Sequence, residues 1–228
     1  MASNLPLLED AAAKLKHMLL DVVFVGGSTL DLIVTDPASA PIRSTYDVDV
    51  IVAADYAGYS MFCDRLRDIG FINDTSPDAP MCRFLNGTLQ LDVMSAQHDV
   101  LGFNSRWYEG AIQTAKLASL PSGKQIRLIT APFFLGTKME AFYDRGKNDY
   151  HLSHDLEDFI AVIDGRTQLL EELAEAPVNL RQYLGETTGK LISNERFLDA
   201  LPGYVPGDAI SQRRVSIILE RLKTIAAL

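Results

Sequence analysis

The sequence predicts an α+β fold: a mixed β-sheet core with flanking helices, followed by a mostly helical C-terminal part. Three observations carry that prediction. Apolar residues recur every three or four positions in LPLLEDAAAKLKHMLL (5–20), then give way to a β-branched run, VVFV (22–25), and such a change of period marks a change from helix to strand. DVDVIVA (47–53) alternates strictly, as a strand with two different faces must. From Ala131 onward almost every segment reads as helix. The expected division is therefore an α/β core over 1–130 and a helical domain over 131–228.

The elements follow in order. The strand at 22–25 ends at Gly26-Gly27, after which Ser28 is placed to cap a short helix, STLDLIV. A loop rich in Pro, Ala and Ser leads to the alternating strand at 47–53. A helix over about 57–69 and a short strand at Phe71-Ile72-Asn73 come next. MCRFLNG (81–87) and TLQLDVMS (88–95) read as a hairpin turning near Asn86-Gly87. Residues 104–120 read as helix and KQIRLIT (124–130) as strand. The helix TAPFFLGTKMEAFYDRG has Thr130 at its start and Gly146 at its stop, and Ser153 caps the helix beginning HDLEDF.

The chain has 228 residues, 47% hydrophobic and 22% charged, enough for one large domain or two small ones with a real core. No apolar run approaches the roughly 20 residues that span a bilayer. The N-terminus, with Glu9 and Asp10 among short apolar patches, lacks a signal-peptide layout, so a cytoplasmic protein without a membrane partner is expected. The balance of 21 basic against 30 acidic residues gives a net charge of −9. That balance opposes loose adhesion to a polyanion, whose binding rests on phosphate neutralisation. Cys63 and Cys82 lack CxxC spacing and are expected as buried free thiols rather than a disulfide.

Chemistry concentrates at a few positions. Asp47 and Asp49, two apart on a strand, project their carboxylates side by side, the geometry that holds a hard divalent cation, Mg²⁺ above all, against phosphate oxygens. A solvated strand edge would also place them so. The setting, a pair of poor strand formers inside VDVIV, favours a site. Gly26, Gly27 and Ser28 between strand and helix supply close backbone approach, a hydroxyl donor and helix amides aimed at an anion. A plain tight turn has the same composition, and this is neither a Walker loop nor GxGxxG. Asp92, on the second hairpin strand, is the candidate third carboxylate, as proton acceptor or metal ligand. Lys138 and Arg145 share a helical face and could bind phosphate or simply pair with nearby acids. Asp155 and Asp158 stand in the first turn of a helix, where acids suit the dipole without further function.

Taken in order, FVGGS (24–28), STYDVDVIV (44–52) and LDV (91–93) resemble the polymerase-β-type nucleotidyltransferase superfamily, whose signature is Gly-Ser followed by Asp-x-Asp/Glu on a strand. KMEAFYDRGKND followed by HDLEDF resembles the matching segment of the AbiEii-type (abortive-infection) nucleotidyltransferases, many of them toxins of toxin–antitoxin systems. The resemblance spans roughly residues 20–165 and implies a nucleotidyltransferase core completed by the helical domain. It implies that Gly27 and Ser28 touch the triphosphate of an NTP, and that Asp47 and Asp49, with Asp92, bind magnesium. Lys138 is then implied to contact the nucleotide, with Asp155 and Asp158 supporting it. Two departures stand out. The spacer 29–46 is longer than usual, which puts its Arg43 in a substrate wall, and the basic residue before Asp-Leu is His154.

The function implied is magnesium-dependent transfer of a nucleoside monophosphate to an acceptor hydroxyl on tRNA, other RNA or protein, in a toxin or defence setting with a cognate antitoxin as partner. Two alternatives stay open. One is a small-molecule enzyme of aminoglycoside type, which the acidic balance suits. The other is a catalytically silent nucleotide-binding module.

Overall fold

The computed structural model describes residues 3–102, 105–146 and 149–228. Lys147 and Asn148 of the KMEAFYDRGKND segment, and Asn104 at the head of the expected 104–120 helix, lie outside the described residues. The chain forms two compact units. One comprises residues 3–31 and Ser44–Thr130, the other Leu32–Arg43 and Ala131–Leu228.

The first unit is a mixed sheet with helices. Helix α1 (Leu5–Leu15) ends in a short 3₁₀ turn, Lys16–Met18, and strand β1 (Val23–Val25) follows. The glycine turn opens a second 3₁₀ turn, Gly27–Thr29, which runs into α2 (Leu30–Ile33). Then come β2 (Asp47–Val52), α3 (Tyr56–Asp68), β3 (Ile72–Asn73), β4 (Arg83–Asn86), β5 (Leu89–Ser95), α4 (His98–Leu101), α5 (Tyr108–Thr114), β6 (Lys116–Ser119) and β7 (Gln125–Leu128). The seven strands lie in the order β3-β4-β5-β2-β1-β7-β6. β2 runs parallel to β5 and antiparallel to β1, while β1 runs parallel to β7.

The core explains why these residues form strands. Val23, Phe24, Val48, Val50, Leu91 and Val93 are all fully buried, as are Leu8, Leu15 and Met18 of α1 and the turn after it, and α1 packs on β2 and β5. At roughly 1.5–3 kcal/mol for each large apolar side chain buried, the central strands β1, β2 and β5 hold the unit together. The helix expected over 104–120 is cut short, because Lys116–Ser119 pairs antiparallel with Gln125–Leu128. Gly123, at φ 83°, turns the chain between them, and the Leu120 amide donates to the Lys124 carbonyl at 2.8 Å. The Pro121-Ser122-Gly123 turn outweighed the helical tendency of the residues before it.

Cys63 and Cys82 are free and buried. Burial, with the Asp92 charge adding to it, pushes the Cys82 thiol up to about 12, and burial also raises Cys63. Thiolate is the reactive form, so near pH 8 only about one Cys82 in ten thousand is poised to react. Native protein is expected to react with Ellman's reagent at least about a hundredfold more slowly than urea-unfolded protein. Equal rates in the two states would contradict this placement.

The second unit is helical: α6 (Ala131–Arg145), α7 (His154–Gly165), α8 (Leu169–Ala174), α9 (Val178–Ile192), α10 (Glu195–Ala200) and α11 (Arg214–Ala226). α6 packs on α7 and α9, and α11 packs on α9 and α7. Their shared interior contains Phe134, Met139, Phe142, Phe159, Leu184 and Leu222. Residues 32–43 belong to this unit. The Thr35 and Asp36 amides both donate to the Gly165 carbonyl at 2.9 Å, and Arg214 joins Asp36 to Asp164 with 2.7 Å contacts. Ser153 caps α7 through its hydroxyl, which accepts from the Leu156 amide. No helix among the described residues is long and apolar enough to cross a membrane.

Candidate functional site

The sheet brings four strand positions into one row. Along β2, Asp47 and Asp49 are half-buried on one face, and Val48 and Val50 are buried on the other. Directly opposed residues on neighbouring strands point to the same face. Asp49 lies opposite Asp92 of β5 and opposite Val25 of β1, and Asp92 lies opposite Arg83 of β4. Arg83, Asp92 and Asp49 therefore share a face with Asp47.

The glycine turn closes over this row. Gly26 has φ 71°, in the left-handed region that glycine enters without penalty. A Cβ there would overlap the Asp49 carboxylate, coming 2.7 Å from its Cγ. Asp49 thus lies directly against the turn that carries Gly27 and Ser28. Ser28 caps no helix. It sits inside the 3₁₀ turn, fully buried, and its hydroxyl has no hydrogen-bond partner among the described residues. Leaving a buried hydroxyl unpaired costs on the order of 1–3 kcal/mol. A polar ligand atom reaching this turn would relieve that cost. Gly26→Ala combines the left-handed penalty of about 1–2 kcal/mol with the overlap at Asp49, for an expected loss of about 2–3 kcal/mol. Equilibrium urea unfolding measures it, and an unchanged midpoint would show that the turn relaxes freely.

Arg83 was not foreseen. Its Nε and Nη2 donate to Asp92 Oδ1 and Oδ2 at 2.7 and 2.8 Å, and Nη2 also donates to Asp47 Oδ2 at 2.9 Å. Thr45 donates its hydroxyl to the other Asp47 oxygen at 2.6 Å. The hydrogen bonds to Asp92, with the charges of Asp92 and Asp47, hold the Arg83 guanidinium protonated even more firmly than usual. A usable signal existed in the sequence: once Asn86 faces Leu89 across the tight turn, Arg83 must face Asp92.

The carboxylates have the donor chemistry of a hard cation site, but not its geometry. Asp47 and Asp92 are held by a guanidinium. Among the described residues no three acidic, histidine or cysteine side chains are placed to hold a metal ion. As arranged here, the residues do not fit magnesium. Both Asp92 oxygens accept from Arg83, which takes one acceptor position on each.

The helical unit gathers the other predicted residues. Asp158 is fully buried and accepts from Arg43 Nε and Nη2 at 2.6 and 2.8 Å, while Lys138 Nζ lies 2.8 Å from its Oδ2. Lys138 also donates to Asp155 at 3.1 Å, and Arg145 reaches Asp155 with Nε at 3.0 Å. Burial would raise Asp155, but Lys138 and Arg145 outweigh it and hold the carboxyl below the usual aspartate range. Arg43, expected in a substrate wall, is the chelating partner of Asp158. Elsewhere, a cleft of about 550 Å³ lined by Val52, Asp55, Phe62, Arg65 and Gln97 contains none of the predicted site residues.

This fold is nucleotidyltransferase-like. It is similar to that of an antigenic nucleotidyltransferase-like protein from Paracoccidioides brasiliensis, at 20% identity and a TM-score of 0.52, over 87% of this chain and 93% of that one. A nucleotidyltransferase candidate from Helicobacter pylori aligns over 98% of this chain and 92% of its own, at 13% identity and a TM-score of 0.49. No protein-family profile and no curated protein matches the chain.

Proposed function

We propose that the chain is a nucleotidyltransferase that takes an NTP on the Gly26–Ser28 turn and transfers its nucleoside monophosphate to an acceptor hydroxyl. The single observation that carries this reading is the buried Ser28 hydroxyl, without a partner among the described residues, in a glycine turn packed on Asp49. Backbone amides at a positive-φ glycine turn suit phosphate oxygens, and a hydroxyl beside them can donate one more hydrogen bond. In the transfer, the acceptor oxygen bonds to the α-phosphorus as its proton passes to solvent, the bond to the bridging oxygen breaks, and pyrophosphate leaves with that electron pair. Asp49, placed against the turn, is the carboxylate next to the phosphates. Magnesium is the cation proposed for Asp47, Asp49 and Asp92, and its entry requires Arg83 to leave.

The AbiEii-type reading rests on Lys138, Asp155 and Asp158, which match that family's segment and form one network in the helical unit. It proposes tRNA, other RNA or protein as acceptor, with a cognate antitoxin as partner. A second reading is favoured by Arg83: a nucleotide-binding module in which the guanidinium permanently fills the cation's place and no transfer occurs.

Incubation of labelled NTPs and magnesium with tRNA, total protein or cationic small molecules tests both. Label transfer that Asp49→Ala abolishes supports the enzyme. Tight NTP binding with no transfer to any acceptor supports the silent module, and absence of NTP binding defeats both.

A further inference from the structure

The guanidinium on the carboxylate face disagrees with the cation chemistry that face was expected to perform, and the disagreement has a structural logic. We propose that Arg83 is a latch: an internal cation that closes the Asp47–Asp92 pair to divalent metal and opens it by swinging across the sheet to Asp74. The inference deepens the proposed function and rests on it for its biological meaning, but the competition between arginine and metal can be read without any transfer reaction.

Three observations place the latch. First, Arg83 bridges the two carboxylates with three hydrogen bonds of 2.7–2.9 Å, so a divalent cation entering between them would meet the positive charge of the guanidinium in the space it fills. Second, Arg83 has a carboxylate on each side along the row. Asn73 of β3 faces Phe84, and Asp74 continues that register opposite Arg83, its amide donating to the Arg83 carbonyl at 3.0 Å. Residues opposed in this way share a face, so Asp74 stands on the side of Arg83 away from Asp92. Asp74 is half-buried, and its carboxylate receives the Ser76 amide and hydroxyl at 2.9 and 2.6 Å, with lone pairs remaining for a guanidinium. Third, the Arg83 side chain keeps 19% of its exposure, so it can rotate away from Asp92 toward solvent without passing through the core.

The charges give the direction of the coupling. Arginine cannot be deprotonated in practice, so it cannot yield to a metal by losing its charge. It yields only by moving, and a second carboxylate opposite it on the same face makes that movement cheaper. Coupling between two ligands of one site is reciprocal, so whatever holds Arg83 on Asp92 weakens the metal by the same factor.

Manganese binding, read from the loss of the free Mn²⁺ resonance without nucleotide, tests the latch. Arg83→Gln is expected to bind Mn²⁺ about tenfold more tightly than wild type or better, and adding Asp47→Asn should abolish the gain. Asp74→Asn should weaken Mn²⁺ binding in wild type and change nothing in the Arg83→Gln background, a pattern that a merely structural role for Arg83 would not produce. Arg83→Lys, which keeps the charge with fewer contacts, should fall between wild type and Arg83→Gln and guards against a folding defect in the glutamine variant. Equal affinities for wild type, Arg83→Gln and Arg83→Lys would overturn the latch. So would millimolar Mn²⁺ binding to none of them. Failure of nucleotide transfer with the manganese pattern intact would leave the latch standing and defeat the enzyme reading instead.

Discussion

Asp158→Ala is expected to destabilise the helical unit by about 3–5 kcal/mol, the cost typical of removing one partner from a buried ion pair. Asp158 is fully buried beneath two cations, with Arg43 chelating both its oxygens and Lys138 on one of them. Their side chains keep only 19% and 11% of their exposure. Truncating the carboxylate therefore removes both of these Arg43 contacts and one of the two carboxylates on Lys138, which keeps Asp155, in a place that water reaches poorly. Asp158→Asn keeps the shape and the acceptor oxygen while losing the charge, and should cost less than alanine. Equilibrium urea unfolding, with the slope checked for constancy, reads the difference. A loss below about 1 kcal/mol would show that Arg43 and Lys138 find other partners or water with ease.

In the proposed reaction, Asp49→Ala is expected to lower nucleotide transfer about a thousandfold. Cations at a transferring phosphoryl group contribute several kcal/mol, and each 1.4 kcal/mol is a factor of ten in rate, so a carboxylate beside the phosphates would act by holding the proposed cation there. Asp49 is the carboxylate in that position, because β1 sets Val25 opposite it and the glycine turn that follows packs on its side chain. Asp49→Asn should be nearly as damaging, since charge rather than shape is lost. Single-turnover transfer of a labelled NTP under saturating nucleotide separates the chemical step from binding. Transfer within tenfold of wild type would remove Asp49 from the reacting phosphates.

Much of the sheet unit was legible because its signals are local. Alternation over two-residue steps put Asp47 and Asp49 on one face of β2 with Val48 and Val50 on the other. The β-branched run before Gly26 marked β1, and Asn86-Gly87 marked the hairpin of β4 and β5. The error at 104–120 has the same origin in reverse. Lys116–Ser119 is strand only because β7 offers it a partner, and nothing within those four residues states that. Ser28 was read as a helix cap from its identity, whereas the glycine's positive φ draws the following residues into a 3₁₀ turn that buries the hydroxyl.

Arg83 and Arg43 mark the boundary between the two kinds of information. Each meets a carboxylate far along the chain: Arg83 reaches beyond Asp92, its hairpin partner, to Asp47 on the next strand, and Arg43 meets Asp158 on a helix of the other half of the sequence. Periodicity and turn chemistry were enough to mark β1, β2, the β4–β5 hairpin, β7 and the glycine turn, and to set Asp47 and Asp49 on one face. Whether those aspartates face an ion or an arginine depends on strand order and register, properties of pairing between distant segments. A residue's neighbours in space follow from which apolar faces bury one another, and no stretch of the chain read alone contains that choice.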